Sequence, residues 1–220
     1  MAISSPAWFS RFEACLAANA SERSSTWVQL ASVRVDGRPA VRTLVFRGVE
    51  RGPSPSCSPL LSFATDARSD KVGQLRSREA VQACWYLAAT REQWRVGGRA
   101  VVVTAGGGAD GLGAGASALP GGWTAEALQE TRMAAWARLS DTARAMFSWP
   151  QPGGAREEAD AAFPTQLPPA AAESAFANFA LILLSPDEAD CLSLRYEPTQ
   201  RRSRFVQGEN GEWAEVEANP

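Results

Sequence analysis

Residues 27–49, WVQLASVRVDGRPAVRTLVFRGV, contain the pattern that decides the fold. Trp27–Val35 is rich in the β-branched and aromatic residues that favour strands, and it ends in the dipeptide Asp36-Gly37. This dipeptide is typical of tight turns between antiparallel strands. Ala40–Val49 follows as the partner strand, so the stretch predicts a β-hairpin.

Similar strand patterns recur along the rest of the chain and are separated by turn-forming residues. They predict further strands at Leu60–Thr65, Ala80–Leu87, Glu92–Thr104, Phe176–Leu184, Ala189–Leu194, Arg204–Gln207 and Trp213–Glu217. Short strands joined by tight turns are typical of antiparallel barrels rather than of alternating strand–helix folds. We therefore predict a mainly β, antiparallel barrel in a single domain, residues 1–220.

A few helices are expected around this barrel. An amphipathic first helix is predicted from apolar residues at helical spacing: Trp8, Phe9, Phe12 and Leu16. Ser69–Arg76 is predicted as a short helix with Ser69 as its N-cap. Thr124–Phe147 is predicted to be helical with a break near Ser140, and Trp149–Ala172, rich in Pro and Gly, to be a long connection.

The composition excludes several classes of function. The chain has 22 basic and 24 acidic residues, so it lacks the basic excess of proteins that bind DNA or RNA. It contains no histidine, which excludes Ser-His-Asp catalysis and histidine-ligated zinc or haem. The cysteines form no CxxC pair and are predicted to be reduced thiols, with Cys84 and Cys191 in the core and neither a metal site nor a disulfide framework.

The location in the cell is expected to be cytoplasmic, although a plastid is also compatible with the sequence. No apolar run approaches the roughly 20 residues of a membrane span. The N-terminus lacks the basic and apolar regions of a secretory signal.

One glycine motif is misleading. Gly106–Gly111 matches the G-x-G-x-x-G pattern of dinucleotide-binding folds and follows a Val-rich strand. The glycines continue to Gly122, however, so no helix can begin where the pyrophosphate would need one. Residues 105–122 are therefore predicted to be a flexible insertion loop.

Three segments supply the candidate site residues: RTLVFR at 42–47, FATDARSDK at 63–71 and REQWRV at 91–96. Arg42 lies on an otherwise apolar strand, where a buried cation is costly unless it is paired, and a phosphate is a suitable partner. Ser69 and Lys71 lie at a helix start, which favours an anion. Gln93 can both donate and accept hydrogen bonds, which suits the imide edge of a flavin. The alternative is a set of surface charges and ordinary salt bridges, for example Arg42 with Glu92.

At these segments the chain resembles the pyridoxamine 5′-phosphate oxidase-like FMN-binding split barrels, especially their cyanobacterial, plant and algal branch. The likeness continues through Trp136–Gly153 and through the tail from Arg204 to Pro220. It implies an antiparallel, Greek-key-like split barrel that binds FMN between the two protomers of a homodimer. It also implies a small-molecule substrate, such as a phosphorylated B6 vitamer.

The resemblance implies roles for individual residues, although it identifies no catalytic residue. It places seven residues on the cofactor: Arg42, Val45, Thr65, Ser69, Lys71, Gln93 and Arg204. It places three residues toward the substrate: Arg47, Arg201 and Arg202.

The chain departs from the family pattern at three places. Asp70 stands where a second basic residue usually precedes the lysine, and Arg68 is a candidate to compensate. Leu194 replaces a tryptophan before the last hairpin. The family's Arg-x-His near the C-terminus is absent, because the corresponding residues are Gln200-Arg201-Arg202.

The sequence thus predicts an FMN-dependent oxidoreductase of the pyridoxamine/pyridoxine 5′-phosphate oxidase type. A hydride would pass from the substrate to flavin N5, and oxygen or another acceptor would reoxidise the flavin. The alternatives are a non-catalytic FMN-binding or carrier protein, favoured by the missing Arg-x-His, and a flavin reductase-like enzyme with another substrate. A haem-handling barrel is disfavoured because no histidine is available as an axial ligand.

Overall fold

The computed structural model describes residues 6–54, 57–106, 123–195 and 199–220. Eight strands form one antiparallel sheet in the order β3-β2-β1-β4-β5-β6-β7-β8. β6 also pairs with β3, which closes the first six into a barrel and confirms the predicted fold. The strands are β1 (Trp27–Val33), β2 (Pro39–Glu50), β3 (Leu60–Asp66), β4 (Ala80–Leu87), β5 (Glu92–Val103), β6 (Phe179–Ser193), β7 (Arg201–Gln207) and β8 (Trp213–Ala218).

The first hairpin forms as predicted, with a longer turn than the dipeptide alone indicates. β1 ends at Val33, and the Arg34 amide donates to the Arg38 carbonyl across the turn at 2.8 Å. Gly37 has a φ of +85°, a conformation that strongly favours glycine.

The prediction of two separate strands at Phe176–Leu184 and Ala189–Leu194 is wrong. Residues 179–193 form one strand of 15 residues, and Phe176 belongs to the helix before it. The strand continues through Pro186 because a bulge at Asp187 shifts the pairing register: Gly97 of β5 pairs with Glu188, and Gly98 pairs with Pro186. The first half of β6 pairs with β3 and the second half with β7, so the last hairpin extends away from the barrel.

Five α-helices lie among the described residues: α1 (Ala7–Ala18), α2 (Asp70–Ser77), α3 (Ala125–Ala137), α4 (Asp141–Ala145) and α5 (Ala172–Asn178). The predicted break is confirmed, because the Ser140 hydroxyl accepts a hydrogen bond from the Ala143 amide and begins α4. A short 3-10 turn at Met146–Ser148 precedes the long connection, which contains two more at Asp160–Ala162 and Pro169–Ala171. None of the described helices is long and apolar enough to cross a membrane. Most of the predicted glycine-rich loop, residues 107–122, lies outside the described residues.

The core has two parts, on either side of the barrel wall. Helix α1 packs into the barrel interior, where the Phe12 ring lies 5.1 Å from that of Trp85 and 5.3 Å from that of Trp94. The predicted amphipathic helix is therefore confirmed. The second part joins α3, the 3-10 turn at Phe147 and α5 to the outer face of β3, β5 and β6.

The outer face of β2, β1 and β4 is left open by this arrangement. It exposes four large apolar or aromatic side chains: Trp27, Val41, Val45 and Tyr86. Cys84 lies half-buried on the same face, so its predicted place in the core is wrong, whereas Cys191 is fully buried as predicted. Alternation along a strand separates the two faces, but it does not say which face the helices cover.

Candidate functional site

Two adjoining clefts lie where β2, the end of β3 and the start of α2 meet. The larger, about 1060 Å³, is called the basic cleft because Arg34, Arg42 and Lys71 line it. The second, about 540 Å³, is called the aromatic cleft and lies between the 43–47 part of β2 and the segment 143–163. Pro152 and Gly153 line both clefts, so they adjoin.

Arg42 is held at the barrel end by neutral groups. Its Nη1 donates to the Ser32 hydroxyl at 2.6 Å and to the Leu30 carbonyl at 3.2 Å, while Nη2 donates to the Gln74 Oε1 at 2.8 Å. The alternative ion pair with Glu92 does not form; the Glu92 carboxylate accepts from the Trp94 indole instead. Burial, followed by the nearby charge of Arg34, lowers the pKa of Arg42. The guanidinium is thus oriented while its charge stays uncompensated.

Lys71 places a second cation beside Arg42. It is the only lysine in the chain, it lies half-buried in the first turn of α2, and it has no hydrogen-bond or ion-pair partner among the described residues. Burial and the charge of Arg42 lower its pKa, against the opposite influence of Asp66 and Asp70. An anion placed between Arg42 and Lys71 would relieve this repulsion.

Ser69 does not cap α2 with its side chain, although it occupies the predicted N-cap position. Its hydroxyl donates to the Asp66 carbonyl at 2.6 Å and lies 3.4 Å from the Thr65 hydroxyl. Arg68, the candidate substitute for a missing cation, is paired with the Asp66 carboxylate at 2.7 Å. Its charge is therefore already balanced.

The aromatic cleft has an apolar wall opposite β2. The Trp149 ring contacts the Phe163 ring edge to face at 5.7 Å, and the Trp149 indole donates to the Pro164 carbonyl at 2.9 Å. Arg68 also donates to the Trp149 carbonyl, which ties this wall to the end of β3. Three residues that the sequence predicted for the site line the opposite side: Val45, Arg47 and Thr65.

The remaining predicted residues lie elsewhere on the barrel. Asp190 of β6 accepts hydrogen bonds from Arg95 at 2.7 Å and from Arg202 at 2.8 Å, and Arg204 lies 3.9 Å away. These three arginines around Asp190 are called the arginine cluster; they line a small cleft of about 280 Å³. Gln93 pairs in register with Leu192, which pairs with Arg202, and Arg201 is the exposed first residue of β7.

The structure therefore divides the predicted site into two groups. One group lines the two adjoining clefts: Arg42, Val45, Arg47, Thr65, Ser69 and Lys71. The other group lies on β5 and β7 and lines neither of those clefts: Gln93, Arg201, Arg202 and Arg204.

The sequence analysis did not identify several of the residues that line these clefts. Gln74 lies three residues after Lys71 on α2, a spacing that places both on one helix face and could have indicated its role. No sequence pattern pointed to Arg34, apart from its position beside the hairpin turn. The aromatic wall, with Trp149 and Phe163, lies in a segment whose Pro and Gly residues indicated only a connection.

Comparisons with known proteins agree on one family. Residues 5–104 match the family model described as the pyridoxamine 5′-phosphate oxidase, FMN-binding domain. An Arabidopsis thaliana protein named pyridoxine/pyridoxamine 5′-phosphate oxidase 2 is 28% identical over 215 residues, which cover 97% of this chain and 96% of that protein.

Two solved structures extend the likeness to the whole chain. A pyridoxamine 5′-phosphate oxidase-related, FMN-binding protein from Nostoc punctiforme is 33% identical, with a TM-score of 0.79 over 99% of this chain and 100% of that chain. PhzG from Burkholderia lata, solved with tetrahydrophenazine-1-carboxylic acid, is 19% identical with a TM-score of 0.69 over 99% and 94% of the two chains. The second likeness shows a shared fold alone.

Proposed function

The chain belongs to the pyridoxamine 5′-phosphate oxidase-like family of FMN-binding proteins, and from that premise we propose that it is an FMN-dependent oxidoreductase. One observation carries the proposal: Arg42 and Lys71 lie side by side in the basic cleft, and neither has a carboxylate partner among the described residues. Cations in that arrangement are suited to a ligand phosphate.

The residues present fit FMN. Arg42 and Lys71 would hold its phosphate, and Ser69 lines the same cleft. The adjoining aromatic cleft, which Val45 and Thr65 line, offers a largely apolar space for the ring. Bound FMN supplies a hydride acceptor at N5, and oxygen or another acceptor reoxidises it. The protein would contribute binding, orientation and the exclusion of water, and Arg47, which lines the aromatic cleft, would bind an anionic group of the substrate.

A homodimer completes the proposed site. Gln93 and Arg204 lie on β5 and β7, away from the clefts, so a second copy is needed to bring them to the cofactor, with Arg201 and Arg202 beside the substrate. The open outer face, which exposes Trp27, Val41, Val45 and Tyr86, supports such pairing, because apolar side chains on an uncovered sheet favour contact with a self-complementary surface.

The shared site can be tested with mixed dimers. Arg42→Ala and Arg204→Ala chains carry different affinity tags and are co-expressed, and FMN is quantified in each homodimer and in the doubly tagged species. Each homodimer should retain little FMN, whereas a mixed dimer has one intact site and should regain it. Failure of the mixed species to exceed its parents would rule out a site shared between protomers.

Pyridoxamine and pyridoxine 5′-phosphate are the first substrates to test, since they are named for the Arabidopsis relative. The assay measures hydrogen peroxide produced by the FMN-loaded protein in air, beside anaerobic bleaching of the flavin. Bleaching without peroxide would indicate another electron acceptor. Bleaching by a nicotinamide donor alone would support a flavin reductase.

The second candidate function is a non-catalytic FMN carrier. It is favoured by Arg202, which stands in the segment of the family's Arg-x-His and is bound to Asp190 rather than free. A yellow protein whose flavin no amine, alcohol or nicotinamide donor reduces would establish this candidate and exclude the oxidoreductase.

A further inference from the structure

The side-chain amide of Gln74 uses only one of its two ends. Its Oε1 accepts a hydrogen bond from the Arg42 Nη2 at 2.8 Å and another from the Ser32 hydroxyl at 2.7 Å. Its Nε2 has no hydrogen-bond partner among the residues that the structure describes. A primary amide nitrogen carries two donor hydrogens, so both remain available to a ligand.

The orientation of this amide follows from its neighbours. A guanidinium can only donate hydrogen bonds, so the end of the amide that faces Arg42 must be the oxygen. If the amide were turned over, Nε2 would face the Arg42 Nη2 as donor against donor. The Ser32 hydroxyl supports the same orientation, because it accepts from the Arg42 Nη1 at 2.6 Å and donates its own hydrogen to Gln74. Nε2 is therefore the end of the amide that these two residues leave free.

The basic cleft is the open space beside this free end. Gln74 lines the cleft together with Arg42 and Lys71, and it shares one face of α2 with Lys71, which lies three residues earlier. Gln74 is only half-buried, and its Nε2 is not one of the enclosed polar atoms that lack a partner in the described part of the chain. A fixed donor beside two cations is suited to an anion with several acceptor oxygens, such as a phosphate.

We propose that Gln74 binds the cofactor phosphate directly through its Nε2 group, and that Ser32 is the positioning residue that keeps this end of the amide toward the cleft. The inference rests on the proposed function and adds a contact to it. Gln74 would hold Arg42 by Oε1 and the phosphate by Nε2. A residue that only orients Arg42 would use Oε1 alone, so the two roles differ in what Nε2 does when a phosphate binds.

The NMR signals of the side-chain amides test this contact in the full-length apo-protein, its FMN complex and its complex with riboflavin, which lacks the phosphate. The signal that disappears in Gln74→Met assigns Gln74. FMN should shift an Nε2 proton of Gln74 downfield and slow its exchange with solvent, whereas riboflavin should do neither. The Gln129 amide, which donates to the Thr104 carbonyl at 2.9 Å, is the internal control and should not respond to either flavin. A Gln74 signal that is the same with FMN as without it would overturn the inference.

The positioning role of Ser32 has its own signature in the same spectra. Ser32→Ala removes one of the two donors to Oε1, so the response of the Gln74 signal to FMN should become smaller. Ser32→Thr keeps a hydroxyl and should restore the response. An equal response in Ser32→Ala and the wild-type protein would show that Ser32 does not position the amide.

Affinity provides a second measurement. Gln74→Met should lower FMN affinity about threefold, as expected for one hydrogen bond, and leave riboflavin affinity unchanged. Gln166→Met is the matched control, because Gln166 is an exposed glutamine that lines neither cleft. A wild-type protein that binds FMN no more tightly than riboflavin would defeat the proposed phosphate site together with this inference. A wild-type preference for FMN that Gln74→Met fully retains would defeat only the contact from Gln74.

Discussion

The basic cleft and the arginine cluster both hold arginines in fixed positions, but by opposite means. In the basic cleft Arg42 is held by a hydroxyl, a carbonyl and the neutral amide of Gln74. In the arginine cluster Arg95 and Arg202 share the carboxylate of Asp190. Neutral acceptors orient a guanidinium and leave its charge for a ligand, whereas a carboxylate orients it and balances the charge. The first region is therefore ready to bind an anion, and the second holds its arginines largely compensated.

Arg42→Ala should have the largest effect on this contrast. It removes a charge-assisted contact worth roughly 1.5–3 kcal/mol, so FMN affinity should fall by about 10- to 100-fold. Equilibrium dialysis of FMN against the refolded apo-protein measures the loss. Arg76→Ala serves as control, since Arg76 is exposed on α2 and lines neither cleft. Equal FMN affinity in the two variants would place the phosphate outside the basic cleft.

Gln74→Glu gives the basic cleft a carboxylate that would compensate Arg42, as Asp190 does for the arginines of the arginine cluster. The new carboxylate keeps the shape of Gln74 and would pair with Arg42, whose Nη2 lies 2.8 Å from the Gln74 Oε1. FMN affinity should fall by about tenfold, because the phosphate meets a compensated cation and an added negative charge. Gln74→Met, which removes the acceptor without adding charge, should lose less. If Gln74→Glu and Gln74→Met weaken FMN binding equally, Gln74 acts through its amide group, which orients Arg42, and charge compensation has no effect on FMN affinity.

Lys71→Ala should weaken FMN by a similar or smaller factor, with a diagnostic dependence on pH. Because burial and Arg42 lower the pKa of Lys71, its ammonium form is lost as the pH rises through that lowered value. The FMN affinity of the wild-type protein should therefore decline toward alkaline pH. Lys71→Arg, which stays charged, should bind FMN with the same affinity across that range. A titration from pH 7 to 10 compares them. Mass-spectrometric mapping of amine labelling adds a second measurement, since Lys71 is the only lysine and bound FMN should protect it.

The contrast between the two regions shows what the sequence could and could not predict. The sequence predicted the hairpin, the first helix and the break at Ser140, because turn, periodicity and capping signals act over a few residues. The sequence also singled out Arg42 and Lys71, because a cation is unusual on an otherwise apolar strand and at a helix start. Whether the charge of an arginine is compensated depends on contacts between residues far apart in the sequence, such as Arg95 and Asp190. No local pattern carries that information. The continuous strand through Pro186 could not be predicted either, because it depends on a bulge at Asp187 and on pairing with β5.

We expect the smallest effect from Asp190→Asn. This variant gives the arginine cluster a neutral acceptor in place of a carboxylate, as in the basic cleft. Burial raises the pKa of Asp190, but hydrogen bonds from Arg202 and the charge of Arg95 outweigh it and hold that pKa below its usual value of 3.8. A carboxylate with a lowered pKa adds stability above its usual pKa, and that stability is lost as the pH falls through the lowered value.

The variant should therefore lower the free energy of unfolding by about 1 kcal/mol at pH 7, and the difference should shrink as the pH falls below 4. Urea unfolding measures both values. Asp160→Asn is the control, because that carboxylate pairs with Arg156 but is 99% exposed, so its removal should cost less at every pH. A loss that stays constant from pH 7 to pH 3 would mean that Asp190 stabilises the fold by its shape rather than by its charge. In that case the arginines of the cluster would not be compensated as the comparison requires.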